Sequence, residues 1–353
     1  MRFYVSLAVV LAAVVWGQAG FAAQKVVPRG NRILAVDVGT AEDNDYNAAF
    51  AKAKAVGMQD IGLSQDWSDI ESSPGNYNGQ WFTIANSYYP KSSTAVTVTL
   101  RPIHNWRKMV PADLMDVRFS DPRMITRFEK LLDFVFTQMP DTKLDALVIG
   151  SELDVYLGKD PALWKDFTTF YKAVGAYARK KHPGLRIAAE STLKGFTGSA
   201  RVYLKDLNRN SDLIGVSHYP LDDGFAVQDP KVVGGIFDKL VAAYPDKKIC
   251  FYQWGYPSST LLNSSEEKQA QFIRETFKAW DRHASHVLLV DFTWLHDLPD
   301  SALDQNAKYF GLSDPRFLAF LQTLGLRTYQ GSGKDKESYR VLKAEAYARG
   351  WGR

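Results

Sequence analysis

Short runs of β-branched and other apolar residues alternate along the chain with longer stretches whose apolar positions recur every three to four residues. This alternation is the pattern of βα units around a parallel sheet. Eight runs read as strands, at 32–38, 57–63, 95–101, 146–151, 186–190, 213–217, 248–252 and 287–293. Helical patterns between them include 123–136, 161–181, 230–244 and 265–282. The last is preceded by Ser264, three residues before Glu267, the spacing of a capping box. Eight such units favour a closed (β/α)8 barrel, a single-domain α/β fold of TIM-barrel type, over an open doubly wound sheet. The turn Asp37-Val38-Gly39-Thr40 after the first run lacks the Gly-rich fingerprint of a dinucleotide-binding sheet. The barrel is assigned to 24–328, with 329–353 a polar, helical tail beyond a flexible stretch at 330–336.

The N-terminus changes the expected compartment. Arg2, an apolar run over 4–16 and the small-residue end Gly20-Phe21-Ala22-Ala23 have the layout of a secretory signal peptide, assigned to 1–23. The run is short for a bilayer span, and the alternative is an uncleaved N-terminal anchor. The expectation is a secreted or periplasmic protein with no membrane association once the signal is removed. Of 353 residues, 46% are apolar and 23% charged, which excludes a disordered chain. The net charge of +4 is spread evenly and gives no support for a nucleic-acid partner. The single Cys250 can form neither an intrachain disulfide nor a multi-cysteine metal site, and the six histidines show no HExxH or HxH spacing. No metal and no cofactor are expected. Nothing in the pattern bears on oligomeric state.

In a parallel barrel each strand delivers its C-terminal residues to one face, so the strand ends are where chemistry converges. They carry Asp37; Asp66-Trp67; Arg101 with His104, Asn105 and Trp106; Ser151-Glu152; Glu190; His218-Tyr219; Gln253-Trp254; and Asp291, Trp294 and His296. Carboxylates, amides and aromatics recur while lysine is nearly absent. That mixture suits a sugar, because flat rings cover the C–H faces of a pyranose and fixed polar groups bind its hydroxyls. A phosphate site would instead use lysines, Gly loops and helix N-termini. The expected partner is therefore a poly- or oligosaccharide. Trp67, Trp106, Trp254 and Trp294 are the aromatic candidates for it, whereas Trp164 and Trp280 sit at helical positions and read as core.

The order Gly150-Ser151-Glu152, His218-Tyr219-Pro220, Gln253-Trp254-Gly255-Tyr256-Pro257-Ser258-Ser259 and Trp294 resembles the clan-A glycoside hydrolases over about residues 30–325. It looks closest to a secreted bacterial branch with a GYPSS-like turn, an SSEEKQA-like helix (264–270) and a strand-eight WLHD (294–297). The resemblance implies a (β/α)8 retaining β-glycosidase, with the acid/base on strand four and the nucleophile on strand seven. It casts Glu152 as acid/base, Tyr219 as the tyrosine that steadies the nucleophile, Trp294 as the sugar platform and Arg101, more loosely, as the arginine near the nucleophile. The structural alternative for Glu152 is a carboxylate paired with an arginine.

The pattern is broken at two positions. Ser151 stands where the family has Asn, and Gln253 stands where it has the nucleophilic Glu. An amide is neutral and poorly nucleophilic, so the inherited double displacement should fail. Glu190, Asp291 or Asp37 could activate water for inversion, although rim hydrogen bonding is the plainer role for such carboxyls. An acetamido substrate could instead supply its own nucleophile. The chain thus reads as a glycoside-hydrolase-like protein that binds, and through Glu152 cleaves, a β-linked saccharide. The alternative is a carbohydrate-binding pseudoenzyme. Asp37, Trp67, Arg101, His104, Ser151, Glu190, His218, Trp254, Asp291 and Trp294 are its candidate binding residues.

Overall fold

The computed structural model describes residues 26–329 and 333–352. The signal-peptide expectation at 1–23 lies outside them. Nine strand segments form eight parallel staves. They are β1 (Ile33–Val36), β2 (Asp60–Asp66), β3 (Ala95–His104), β4 (Leu144–Ser151), β5 (Arg186–Ala188), β6 (Glu190–Thr192), β7 (Leu213–His218), β8 (Lys248–Trp254) and β9 (Val287–Phe292). Each pairs in parallel with its neighbours, and β9 returns to β1 with Ala35 opposite Asp291. The fifth stave is split at Ala189: β5 pairs with β4, and β6 pairs with β7. Gly215 on β7 accommodates that break, because a Cβ there would meet the Ala189 carbonyl oxygen at 2.6 Å.

Alternation along the staves separates two cores. Small and medium residues such as Ala35, Ala146, Val148, Ala188, Leu213, Cys250 and Leu289 fill the barrel. Larger outward residues pack beneath the helices, among them α1 (Tyr46–Ala55), α2 (Pro122–Gln138), α3 (Pro161–Lys181), α4 (Val232–Ala243) and α5 (Glu266–Arg282). Trp164 and Trp280 are buried in this outer layer, as their helical positions led us to expect. The cap of α5 falls one residue later than the sequence spacing suggested. Ser265 accepts from the Lys268 amide, while Ser264 donates its hydroxyl to the Pro257 carbonyl.

After β9 come α6 (Asp300–Phe310) and α7 (Pro315–Gln322), and the chain ends in α8 (Glu337–Ala348). The last helix buries Tyr339, Leu342 and Ala346. Behind it, Arg349 grips Asp281 of α5 at 2.7 Å, and Asp281 also binds Arg32 at the entry to β1, at 2.9 Å. The two ends of the described chain thus meet on one carboxylate below the barrel. Among the described residues no helix is long and apolar enough to cross a membrane.

Candidate active site

The C-terminal ends of the staves converge on one face of the barrel, and the best-defined group there is Glu152. Gly150 (φ +83°) and Glu152 (φ +51°) both adopt left-handed backbone, turning the chain sharply at the end of β4. Gly150 has no substitute there, since a Cβ would lie 2.4 Å from the Leu153 side chain. Glu152 pays no such relief, and a strained non-glycine residue held in place by its surroundings is typical of functional positions. Its surroundings are two donors. Ser217 Oγ, at the end of β7, donates to Glu152 Oε1 at 2.6 Å. Asn105 Nδ2 donates a short hydrogen bond to Oε2. Among the described residues no arginine pairs with Glu152, and burial pushes its carboxyl up to about 7. A half-buried carboxyl poised near neutrality can deliver a proton and take one back.

Gln253 lies beside it in a polar chain. Tyr219 donates its hydroxyl to Gln253 Oε1 at 3.0 Å. Gln253 Nε2 donates to Ser151 Oγ at 3.3 Å, and that hydroxyl donates to Glu190 Oε2 at 2.7 Å. Gln253 aims inward because β8 carries a bulge: Phe251 is paired with Val216, but Gln253 with Ser217. The extra residue lets both Tyr252 and Gln253 face the barrel. The next side chain, Trp254, must then point outward.

That geometry corrects two expectations. Trp254 is not in the cleft; it is fully buried against Phe237, Phe251 and Phe272, with its indole donating to Thr276 Oγ1 at 2.9 Å. Trp67 is likewise fully buried, edge-on to Phe128 and donating to Glu71 Oε2 at 2.9 Å. It opens a short helix, Trp67–Ile70, that turns the ring beneath α2. Trp294 remains at the strand ends, half-buried, close enough to Asp37 to temper the upward push that burial gives its carboxyl.

The other candidates fall into two groups. Arg101 pairs with Asp66 at 2.6 Å, and His104 Nδ1 lies 3.3 Å from the same carboxylate, forming a charged rim on β2 and β3. His218 is half-buried against Trp254, its Nε2 has no hydrogen-bond partner, and desolvation pushes it down to about 4. The candidate carboxyls differ sharply in access. Glu190 is 3% and Asp291 5% exposed, and burial raises both, Glu190 to about 7 and Asp291 well above the carboxylate range. Asp37 is half-buried and raised to about 6, mainly by desolvation. His296, at the end of the eighth strand run, is buried against Glu42 at 2.8 Å. Among the described residues no cluster of three or more His, Cys, Asp or Glu could hold a metal ion.

Sequence reasoning did not single out Asn105 or Ser217, which hold Glu152. Both were visible at strand ends, but small polar residues are common there, and only the fold shows that they converge on one carboxyl.

No protein-family model matches the chain, and no curated protein matches it. Its fold does match solved structures. The exo-β-1,4-mannosidase from Opitutaceae bacterium strain TAV5 superposes with a TM-score of 0.69 at 16% identity, over 90% of this chain and 59% of that one. The chain thus spans less than two thirds of the mannosidase. A GH5_18 protein from Bifidobacterium longum subsp. longum ATCC 55813, in complex with Manβ1-4GlcNAc, gives 0.69 at 13% identity, over 90% and 78%. A family 39 glycoside hydrolase from Bacteroides cellulosilyticus WH2 gives 0.61 at 14% identity, over 91% and 64%. The protein therefore shares a (β/α)8 barrel with these glycoside hydrolases, GH5_18 proteins among them. At these identities the likeness is one of fold.

Proposed function

We propose that this is an exported, glycoside-hydrolase-like protein that binds a β-linked oligo- or polysaccharide and cleaves it with Glu152 as proton donor. The observation that carries this reading is the Glu152 carboxyl itself: accessible, free of any arginine, fixed by Asn105 and Ser217, and protonated to about pH 7. Neighbours of this fold are mannosidases and other glycosidases, which supports a saccharide as ligand. Gln253 cannot form a glycosyl ester, so retention through that position is closed. Among the three carboxyls that could activate water instead, Asp37 has the access the role needs. Glu190 and Asp291 lie too deep.

A second reading, saccharide binding without turnover, is favoured by how fully Gln253 is used. Its carbonyl accepts from Tyr219 and its amide donates to Ser151, an arrangement that a carboxylate could not keep on both ends. A polysaccharide screen on native and Gln253→Glu protein separates the two. Turnover by the native chain that vanishes in Glu152→Gln and Asp37→Asn, with inverted first product, supports cleavage. Measurable binding with no reducing ends over long incubation rejects it. N-terminal sequencing of protein recovered outside the cytoplasm tests export, for which a start at or near residue 24 is expected.

A further inference from the structure

The wall of the cleft next to Glu152 is built from the exit of β3. Beyond His104 the chain turns back at once into a short strand, Arg107–Lys108, with His104 opposite Arg107. Asn105 and Trp106 are therefore the two-residue tip of a β-hairpin, and Asn105 takes the left-handed backbone (φ +56°) that such tips demand. One tip residue holds Glu152. The other, Trp106, is 44% exposed, whereas the large aromatic rings Trp67, Trp164, Trp254 and Trp280 are buried.

The exposed ring is braced rather than loose. Arg107 lays its guanidinium 4.2 Å from the Trp106 ring centre and 4.5 Å from that of Tyr309 on α6. Arg107 Nη2 also donates to the Tyr309 carbonyl at 2.8 Å, and the Tyr309 hydroxyl donates to the His104 carbonyl at 3.3 Å. The Trp106 and Tyr309 ring centres are 6.3 Å apart, and the Tyr309 ring stands 5.2 Å from His104. The Tyr309 hydroxyl lies close enough to feel the charges on Asp66, Arg101 and Glu152. Hairpin and helix thus clamp each other and hold both rings at the side of the proton donor, with the guanidinium lying over one face of each and the other face of Trp106 turned to the exposed side.

We infer that Trp106 and Tyr309, braced by Arg107, form an outer sugar subsite that seats the pyranose ring one unit beyond the two that flank the bond addressed by Glu152. The inference rests on the saccharide reading of the cleft. The aromatic faces cover the C–H side of that ring, and the remaining guanidinium N–H groups and the His104 edge meet its hydroxyls. The ligand class follows: a β-linked chain of more than two units, bound more tightly than a disaccharide because it reaches the hairpin.

Calorimetric titration of the full protein with β-1,4-mannotetraose, cellotetraose and chitotetraose, each beside its disaccharide, tests this. At least one tetrasaccharide should bind tenfold or more tightly than its disaccharide. Trp106→Ala and Tyr309→Ala should each erase that difference while leaving disaccharide affinity within about twofold, and Tyr309→Phe should preserve it. Trp106 is exposed, so Trp106→Ala should retain the native near-ultraviolet fold signature apart from one tryptophan. Equal affinity of tetra- and disaccharide in the native protein, or a preference that survives both alanine variants, overturns the subsite and leaves the cleft reading standing. Absence of binding by all three tetrasaccharides overturns the cleft reading, and the subsite with it.

Discussion

Glu152 and Glu190 occupy adjoining staves, yet their environments give them different work. Both are pushed up to about 7 by burial, but Glu152 reaches solvent and Glu190 is sealed beneath Ser151 and Gln253. Turnover driven by Glu152 should therefore decline as pH rises through about 7, where the donor loses its proton. A pH–rate profile flat from 5 to 9 would exclude it as the acid. Glu190 predicts a stability effect instead. Its folded value lies above the ordinary 4.5, so its contribution is complete below that value and is lost as pH rises through about 7. His218, pushed down to about 4, acts oppositely and disfavours folding as pH falls from its ordinary 6.5. Glu190→Gln should raise stability at pH 8 by on the order of 2 kcal/mol relative to its effect at pH 5. Melting curves of both proteins at the two pH values measure it; an equal shift at each pH contradicts the buried-carboxyl account.

At the scale of elements, the site depends on local departures from regular strand. The left-handed turn at the end of β4 aims Glu152, the bulge in β8 aims Gln253, and the hairpin tip after β3 aims Asn105. Gly150→Ala places a methyl against Leu153 and forces left-handed backbone on alanine, so a loss of about 2 kcal/mol or more is expected, with cleft affinity falling alongside. Urea melts and sugar titration on the same sample would show whether stability and binding move together. The α5 cap is a simpler case. Ser265→Ala should cost about 1 kcal/mol, and Ser264→Ala should act through its lost bond to the Pro257 carbonyl rather than through the helix end. A far-ultraviolet thermal melt that leaves Ser265→Ala unchanged would remove the cap assignment.

For the whole molecule, closure of the barrel and closure of the chain are separate matters. The staves complete their circle through the split fifth stave, while the two ends of the described chain are joined by Asp281 between Arg32 and Arg349. Asp281→Asn leaves two buried guanidinium groups facing a neutral amide and should lower stability by about 3 kcal/mol or more. The urea midpoint should fall without a change in slope. A midpoint within error of native would show that the helix α8 holds by apolar packing alone.

The sequence by itself determined the eight-unit barrel, because each strand and helix advertises its burial locally through the period of its apolar residues. It also determined that the strand ends carry carboxylates, amides and rings, with the amide Gln253 among them. Which rings stay at the strand-end face and which sink into the core was decided only in three dimensions. Trp254 follows an inward residue on a bulged strand and so points outward, and Trp67 turns beneath α2, whereas Trp106 rides a hairpin tip that strand periodicity does not mark. The partners of Glu152 were likewise invisible, since Asn105 and Ser217 lie 47 and 65 residues from it and meet it only when the staves close. Periodicity encodes which side of its own element a residue takes; which residues then face one another depends on stagger and bulges that no single segment contains.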